Sequence, residues 1–330
     1  MPKLVRIICV LFCIFTLTNV KSEAKIVKLN SPYSYERLQK DLNKFQTRYG
    51  ENIEIKTIGT THFGKKISGV KLGNGKTNIV LVGAHHGREW LTSALLMEML
   101  ENYAESYVNH KRMGFRSTDI LNQVSIWFIP MLNPDGVTIQ QDNLESFPPS
   151  LQKQLLVMNE GSKNFKRWKA NGMGVDLNRQ YPAGWKQLNQ EPSNPSYAFY
   201  KGNRPLESKE VIALTEFINE VRPQVAVAYH TAGREIFWNY KNGKHLRRDY
   251  KLAKKVSRLT NYKLSKPDPD SFGGGFTDWF ITTYHKPAMT IEISYLVGET
   301  SPPLSVFKKE WKRNKYVGLL LAVEAKKLSQ

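Results

Sequence analysis

Apolar residues occur in two kinds of pattern along the chain. One predicts strands and the other predicts helices. Residues 78–84 (NIVLVGA) form a nearly unbroken apolar run, which is typical of a buried strand. In residues 92–103 the apolar positions recur at helical spacing instead. The segment between them is therefore expected to connect a strand to a helix. In open α/β sheets, ligand-binding and catalytic residues lie in such connections, at the carboxyl ends of the strands.

The same reasoning predicts four more elements: an amphipathic helix over 33–49 and strands over 53–58, 66–72 and 225–229. No internal repeat, low-complexity tract or Pro/Ser-rich linker interrupts the chain. We therefore expect one domain over residues 23–330.

The first 22 residues have the pattern of a secretory signal peptide. A basic start is followed by a short apolar core over 7–17 and a small-residue cleavage site near Ser22. A membrane span needs about 20 apolar residues, so an uncleaved anchor is the less favoured alternative. No later segment has enough apolar residues to cross a membrane. Both cysteines, Cys9 and Cys13, lie in this leader, so we expect a secreted or cell-envelope protein without disulfides.

The net charge of +19 adds a possible partner. Removal of the leader takes away three cations and no acid, which leaves +16. The basic residues are densest over 241–255. Because export is expected, anionic cell-wall polymers or membrane headgroups are favoured over nucleic acid as partners of this patch. A surface that only increases solubility is an equally weighted alternative.

Three side chains at strand ends predict a catalytic zinc site. His86 and Glu89 follow the strand at 78–84, and His230 ends the apolar run at 225–229. Catalytic zinc takes three ligands of this kind and leaves one position for water. His85 is a rival ligand, but adjacent strand residues point to opposite faces, and His86 has the better spacing to Glu89.

A carboxylate in the middle of another apolar strand is the candidate general base. In residues 288–293, Met289, Ile291 and Ile293 share one face and Glu292 lies on the other. A glutamate in such a run either bonds a buried cation or lines a cleft, and the cleft is favoured.

A third block, residues 174–185, suits a substrate carboxylate. Strand alternation places Asp176 and Asn178 on one face, with Arg179 at the strand end. A guanidinium beside an amide can hold a carboxylate bidentately. Taken alone, this block would be interpreted as a surface turn with a salt bridge.

Together these blocks resemble the zinc carboxypeptidases, the funnelin metallopeptidases, over nearly the whole mature chain. The resemblance implies an α/β fold in which a mixed, mostly parallel twisted sheet is sandwiched by helices. It implies one zinc ion on His86, Glu89 and His230. It also implies that Glu292 is general base and then acid, that Asn178 and Arg179 anchor a substrate carboxylate, that Arg88 polarises the scissile carbonyl or binds substrate, and that Asp176 orients the first zinc histidine. We further expect neither a long inhibitory propeptide nor an appended wall-binding module.

Two positions depart from the family pattern. Lys169 stands where an oxyanion-stabilising arginine is common, and a lysine offers a point charge rather than a fork. The mobile tyrosine of the digestive enzymes has no obvious counterpart, and Asp270 falls near its place.

Within the family, residues 273–280, 290–293 and 297–300 are similar to the bacterial γ-D-glutamyl-diamino acid peptidases. The similarity implies hydrolysis of peptidoglycan stem peptides and puts Thr277 at the floor of the pocket for the residue after the scissile bond. Arg234 could pair with the free α-carboxylate of γ-linked glutamate, although a solvated or Glu235-paired arginine is at least as well supported. The alternatives are an ordinary secreted metallocarboxypeptidase and a non-catalytic protein that binds wall polymers or other polyanions.

Overall fold

The computed structural model describes residues 24–188, 192–266 and 273–330. The expected signal peptide and Asp270 lie outside these ranges. The strands are β1 (Ile53–Thr60), β2 (Lys66–Leu72), β3 (Thr77–Val82), β4 (Arg112–Met113), β5 (Arg116–Ser117), β6 (Val124–Ile129), β7 (Val225–Thr231), β8 (Glu235–Phe237), β9 (Lys263–Ser265) and β10 (Ala288–Ile293). The α-helices are α1 (Tyr35–Tyr49), α2 (Trp90–Val108), α3 (Pro134–Gln140), α4 (Pro149–Met158), α5 (Lys209–Val221), α6 (Leu246–Thr260), α7 (Phe276–Tyr284), α8 (Phe307–Asn314) and α9 (Val317–Leu328).

One mixed sheet organises the described residues, with strand order β1-β2-β6-β3-β7-β10-β8-β9. The central strands β6, β3, β7 and β10 run parallel to one another, and β8 with β9 is also parallel. The β1-β2, β2-β6 and β8-β10 pairs are antiparallel. The expected mostly parallel sheet is therefore confirmed.

Helices cover both faces of this sheet. Ile79 and Leu81 of β3 pack in a core with residues of α1, α2, α6 and α9, whereas Val80 and Val82 pack with α5 and α7. This alternation follows from the period of two along a strand, and it shows why both faces of β3 had to be apolar. The predicted helix at 33–49 is α1, which Ser34 caps by accepting a hydrogen bond from the Arg37 backbone N–H at 3.2 Å.

The parallel centre positions the candidate chemistry. Glu292 of β10 lies beside His230 of β7 in the parallel register, near the carboxyl ends of both strands. Met289, Ile291 and Ile293 pack into the core on the other face of β10, as their alternation predicted. Among the described residues, no helix is sufficiently long and apolar to span a bilayer.

The described part of the chain also contains a buried carboxyl group in the first turn of α5, that of Glu210. Its Oε2 accepts a hydrogen bond from Asn171 Nδ2 at 3.3 Å, and its Oε1 has no hydrogen-bond partner. Burial, with the nearby carboxylate of Asp135, raises the pKa of Glu210 to about 7. Asn171 also accepts from the backbone N–H groups of Met173 and Val175, so it shapes the turn that leads to Asp176.

This raised pKa predicts a pH-dependent stability. The unfolded chain releases the Glu210 proton near the ordinary glutamate pKa of about 4.3, whereas the folded protein keeps it up to about 7. Stability should therefore fall as the pH rises through this interval. Glu210→Gln should remove the loss, and its unfolding free energy relative to the parent chain should be higher at about pH 8 than at about pH 5.

Urea unfolding at the two pH values measures this difference. Glu216→Gln on the exposed face of the same helix is the matched control and should show no such change. An equal pH response of the two variants would contradict the assignment.

Candidate metal centre and active site

The described residues contain one group of three or more potential metal ligands, His86, Glu89 and His230. His86 follows β3, Glu89 ends a single 3-10 turn over Gly87–Glu89, and His230 is the penultimate residue of β7. All three side chains are buried. The corner between strand and helix thus brings a sequence-local pair of ligands against a distant third one.

The ligand atoms face one another at distances that fit a tetrahedral ion. Glu89 Oε1 lies 2.8 Å from His86 Nδ1, and Glu89 Oε2 lies 2.8 Å from His230 Nδ1. The two Nδ1 atoms are 3.2 Å apart. Zinc bonds of about 2.0–2.1 Å at tetrahedral angles separate ligand atoms by roughly 3.3 Å. The donor set therefore fits zinc, with one coordination position left over.

The hydrogen bond of His86 to Asp176 fixes which ring nitrogen is free for a metal. His86 Nε2 lies 3.0 Å from Asp176 Oδ1, so Nε2–H donates and Nδ1 keeps its lone pair. Lys169 Nζ lies 2.7 Å from the other oxygen of Asp176. Although burial opposes ionisation, Lys169 and His86 hold the pKa of Asp176 well below its usual range.

The other two candidate metal ligands, Glu89 and His230, have pKa values shifted from their ordinary ranges. Burial opposes ionisation of Glu89, but the imidazoles of His86 and His230 hold its pKa below the ordinary value. Burial lowers the pKa of His230, against the opposing effect of Glu89. An ionised carboxylate and a neutral imidazole are the forms that bind zinc.

The expected strand at Asp176 and Asn178 is wrong. Residues 177–179 form a single 3-10 turn, and Asp176 Oδ1 accepts the Asn178 backbone N–H at 3.0 Å. An aspartate side chain that bonds the backbone two residues on stabilises a turn in place of a strand ladder. Asn178 and Arg179 nevertheless line the same cleft as the metal ligands.

The cleft has a volume of about 390 Å³ and collects ten of the eleven predicted site residues. They are His86, Arg88, Glu89, Lys169, Asp176, Asn178, Arg179, His230, Thr277 and Glu292. Because these residues come from β7, β10, α7 and several loops, only the folded chain brings them together.

Glu292 lines the cleft, and one of its carboxylate oxygens is not hydrogen-bonded. Its Oε2 is buried and has no hydrogen-bond partner in the described part of the chain. Burial, followed by the neighbouring carboxylate of Glu89, raises the pKa of Glu292 to about 8. A divalent cation on the adjacent ligands would oppose this shift and favour the ionised base.

Arg88 and Lys169 supply positive charge to the cleft. Arg88 donates to the Arg167 carbonyl at 3.1 Å and lies 3.8 Å from the carboxylate of Glu299. Lys169 is held more firmly by its ion pair with the fully buried Asp176. Arg88 therefore has the weaker carboxylate contact and is the more available of the two cations.

Uncharged and acidic polar groups also line the cleft. Asn178 Oδ1 accepts the Phe276 backbone N–H at 3.0 Å, which leaves the amide NH₂ to donate to a ligand. The hydroxyls of Thr277 and Thr290 lie 3.1 Å apart at the start of α7 and in β10. Asp278 also lines the cleft, and burial raises the pKa of this carboxyl to about 7.

The sequence analysis did not identify Asp278 as a residue of the cleft or Glu299 as the carboxylate near Arg88. Asp278 follows the expected floor residue Thr277, and its position in the first turn of α7 was the available signal. Glu299 lies in an irregular loop after β10, for which periodicity gives no direction.

The substrate-binding role expected for Arg234 is wrong. Its guanidinium donates to Glu310 Oε1 at 3.0 and 2.6 Å, and Glu310 is fully buried. A buried carboxylate needs such a partner, so Arg234 is committed to α8 and does not line the cleft. Glu235 pairs with Lys263 at 3.6 Å instead. The preference for His86 over His85 agrees with the geometry, since His85 contacts the Tyr181 hydroxyl at 3.2 Å outside the ligand group.

Comparison with known proteins places this arrangement in context. Residues 38–316 match the family described as zinc carboxypeptidase. The γ-D-glutamyl-L-diamino acid endopeptidase 1 of Lysinibacillus sphaericus is 30% identical over 303 residues, which are 90% of this chain and 74% of that protein. Human mast cell carboxypeptidase A is 23% identical over 239 residues, which are 70% of this chain and 52% of the human protein.

Solved structures share the fold. Thrombin activatable fibrinolysis inhibitor aligns with a TM-score of 0.71 at 17% identity, over 89% of this chain and 74% of that one. The carboxypeptidase A of Helicoverpa armigera aligns with a TM-score of 0.68 at 16% identity, over 94% and 77% of the two chains. The sheet sandwiched by helices is thus a known architecture.

The contact between Asp176 and His86 predicts an effect on metal affinity. Asp176→Asn removes the charge that orients the imidazole and should weaken zinc binding by about 10- to 100-fold. Competition with a chromophoric chelator measures the apparent Kd without relying on turnover.

Asp142→Asn is the control, because Asp142 is a half-exposed carboxylate paired with Lys166 away from the cleft. Its zinc affinity should stay within about twofold of the parent chain. Unchanged zinc affinity of Asp176→Asn would show that this hydrogen bond does not support the metal site.

Proposed function

The chain belongs to the zinc carboxypeptidase family, and from this premise we propose that it hydrolyses the γ-D-glutamyl-diamino acid bond of peptidoglycan stem peptides. It is a zinc metallopeptidase, and peptides are its substrate class. The observation that carries the finer proposal is the 30% identity, over 90% of this chain, to an endopeptidase named for that bond. We place the reaction at the cell envelope, which agrees with the leader expected from the sequence.

The chain's own residues divide the reaction among them. His86, Glu89 and His230 would hold the ion, and the chemistry that zinc supplies at such a site is Lewis acidity, which lowers the pKa of water to about 7. Glu292 takes a proton from the attacking water and later delivers it to the leaving amine. Its position in the cleft lining and its Oε2 without a hydrogen-bond partner among the described residues support this role.

Arg88 and Lys169 stabilise the negative charge that develops on the carbonyl oxygen during attack. Both line the cleft that holds the ligands and Glu292. Fixed cations in a site that excludes water stabilise a transition state more than they would in solution. Lys169 also keeps Asp176 ionised, so it supports the orientation of His86 at the same time.

Asn178 and Arg179 bind a carboxylate of the leaving diamino acid. The free NH₂ group of Asn178 and the guanidinium of Arg179 present donors on one short turn. The side chain of the diamino acid then points to the hydroxyls of Thr277 and Thr290 and to Asp278. Polar and acidic groups there suit an amino-bearing side chain better than an apolar one.

On the acyl side, the free α-carboxylate of γ-linked glutamate needs a cation other than Arg234. Arg88 meets this need, since it lines the cleft and already faces a carboxylate, that of Glu299. Glu299 is half-exposed and lies 3.8 Å away, so a substrate carboxylate can replace it at little cost.

An ordinary metallocarboxypeptidase is the alternative, because Asn178 and Arg179 would serve a plain C-terminal carboxylate equally well. The similarity to human mast cell carboxypeptidase A supports it to a lesser degree, since the chain spans about half of that protein. A non-catalytic protein is disfavoured, because the three ligands and Glu292 share one cleft.

The substrate assignment predicts a preference between two peptides. A tripeptide with a γ-D-glutamyl-diaminopimelate bond should be cleaved with a kcat/KM at least about tenfold above that of an α-linked peptide ending in leucine, because only the former offers a carboxylate to Arg88 and an amino group to Asp278. Mass spectrometry of the products measures it. Preference for the leucine peptide would reject the proposal in favour of the alternative.

In the same assay, Glu292→Gln should lower kcat by about 10²- to 10⁴-fold while the zinc content stays the same. Glu235→Gln is the matched control. Glu235 lies opposite Glu292 in the antiparallel register of β8 and β10, but it does not line the cleft. This variant should keep nearly full activity. Substantial turnover by Glu292→Gln would refute the role of this residue.

The role of Arg88 predicts a change in discrimination as well as a change in rate. Two substrates that differ only in an α-carboxylate or an α-carboxamide on the γ-linked residue should be distinguished about 10- to 100-fold by the parent enzyme. Arg88→Gln should reduce this ratio of kcat/KM values to about twofold. Lys169→Gln should slow both substrates and leave the ratio intact. A ratio unchanged in Arg88→Gln would show that the carboxylate binds elsewhere.

A further inference from the structure

The exposed face of α6 and the turn before it carry a row of cations remote from the catalytic cleft. The row comprises five exposed residues at intervals of three or four: Lys244, Arg247, Lys251, Lys254 and Arg258. This spacing puts their side chains on one side of a helix. With a rise of 1.5 Å per residue, the row spans roughly 20 Å.

No acidic side chain interrupts this row. The one acid of α6, Asp249, is buried on the opposite face with Leu252, Ala253 and Val256. Arg247, Lys251 and Lys254 form no ion pair within the described ranges, and Lys254 Nζ lies 5.5 Å from the centre of the Tyr250 ring. Like charges one turn apart destabilise a helix, so the row has an electrostatic cost that a bound polyanion would remove.

A groove between α6 and the end of α9 widens the same basic surface. It has a volume of about 470 Å³ and is lined by the cations Arg247, Arg248, Lys251, Lys255 and Lys327, the acid Glu324, and the side chains of Leu252 and Leu328. Glu324 is shared by Lys255 at 2.5 Å and Lys327 at 3.0 Å, and Arg248 pairs with Asp249 at 2.8 Å. Five cations therefore face two carboxylates, and the groove keeps a positive charge.

The shape of this surface selects the kind of anion. The row is open to solvent along its length, and its charges are spread over several helical turns. A small anion would meet one or two of these cations, whereas a linear polymer can meet all of them and release counterions from each contact. The exposed aromatic residue beside the row is Tyr250, so stacking of several bases on aromatic rings has little support.

We propose that the basic face of α6, with the groove beside α9, binds a linear phosphodiester-linked wall polymer of the poly(glycerol phosphate) type. The choice of a wall polymer rests on the proposed function, because an enzyme that cleaves stem peptides works beside such polymers. None of the residues of this face lines the catalytic cleft. Binding there holds the enzyme on the wall and leaves the cleft open to peptides.

The test compares two variants of the full chain that lose the same charge. Arg247→Gln, Lys251→Gln and Lys254→Gln combined remove three cations of the row. Lys40→Gln, Lys163→Gln and Arg204→Gln combined remove three exposed cations that lie elsewhere and make no ion pair in the described part of the chain. Calorimetric titration with purified poly(glycerol phosphate) over a range of salt concentrations gives the affinity and its salt dependence.

The row variant should bind the polymer at least about tenfold more weakly, and the slope of log K against log salt should decrease in magnitude by about 2. The control variant should stay within about twofold of the parent chain. Equal losses in the two variants would show that net charge alone is responsible and would overturn the proposal. So would tighter binding of single-stranded nucleic acid or anionic lipid vesicles than of poly(glycerol phosphate) at matched charge.

Hydrolysis of a soluble stem peptide by the row variant should equal that of the parent chain, since the row is outside the catalytic machinery. Polymer binding is measured without turnover, so absence of γ-D-glutamyl cleavage in the parent chain would count against the proposed function and not against the basic face.

Discussion

The hydrogen bond between His86 and Asp176 is the contact on which the site depends. It joins His86, in the segment after β3, to a turn 90 residues later, and it decides which nitrogen of the ring faces Glu89 and His230. Asp176 can do this only as a buried anion, and Lys169 and Arg179 provide the positive charge that keeps it ionised. The candidate metal ligands and the two cations proposed to act on the substrate, Lys169 and Arg179, are therefore one electrostatic unit.

The sheet explains why this unit can be assembled at all. Parallel β3, β7 and β10 end on the same side, so their last residues and the loops that follow them meet above the sheet. Apolar side chains on both faces of these strands fix the register, and the register sets His230 beside Glu292. A one-residue slip of either strand would move its side chain to the opposite face and separate His230 from Glu292.

Positive charge is arranged in two different ways in this protein. Inside the cleft, Arg88, Lys169 and Arg179 are few, partly buried and tied to named acceptors, which suits the recognition of single carboxylates and the stabilisation of a developing charge. On α6 the cations are numerous, exposed and mostly without acidic partners, which suits a long polyanion. Burial strengthens the first kind of interaction, whereas salt screens the second.

The sequence alone predicted the α/β class, the central strands β3, β7 and β10 and the three candidate metal ligands, because apolar periodicity and local spacing such as His86 to Glu89 are properties of short segments. It also predicted the face on which Glu292 lies. It did not determine that residues 177–179 form a turn, that Arg234 pairs with Glu310, that Asp278 lines the cleft, or that Glu299 lies near Arg88. The turn has a local cause, the Asn178 N–H that Asp176 accepts, which strand alternation does not reveal. The other facts depend on contacts between segments far apart in the chain, and at Arg234 the need of the buried Glu310 carboxylate for a cation outweighs any local pattern. Only the tertiary structure brings such partners together.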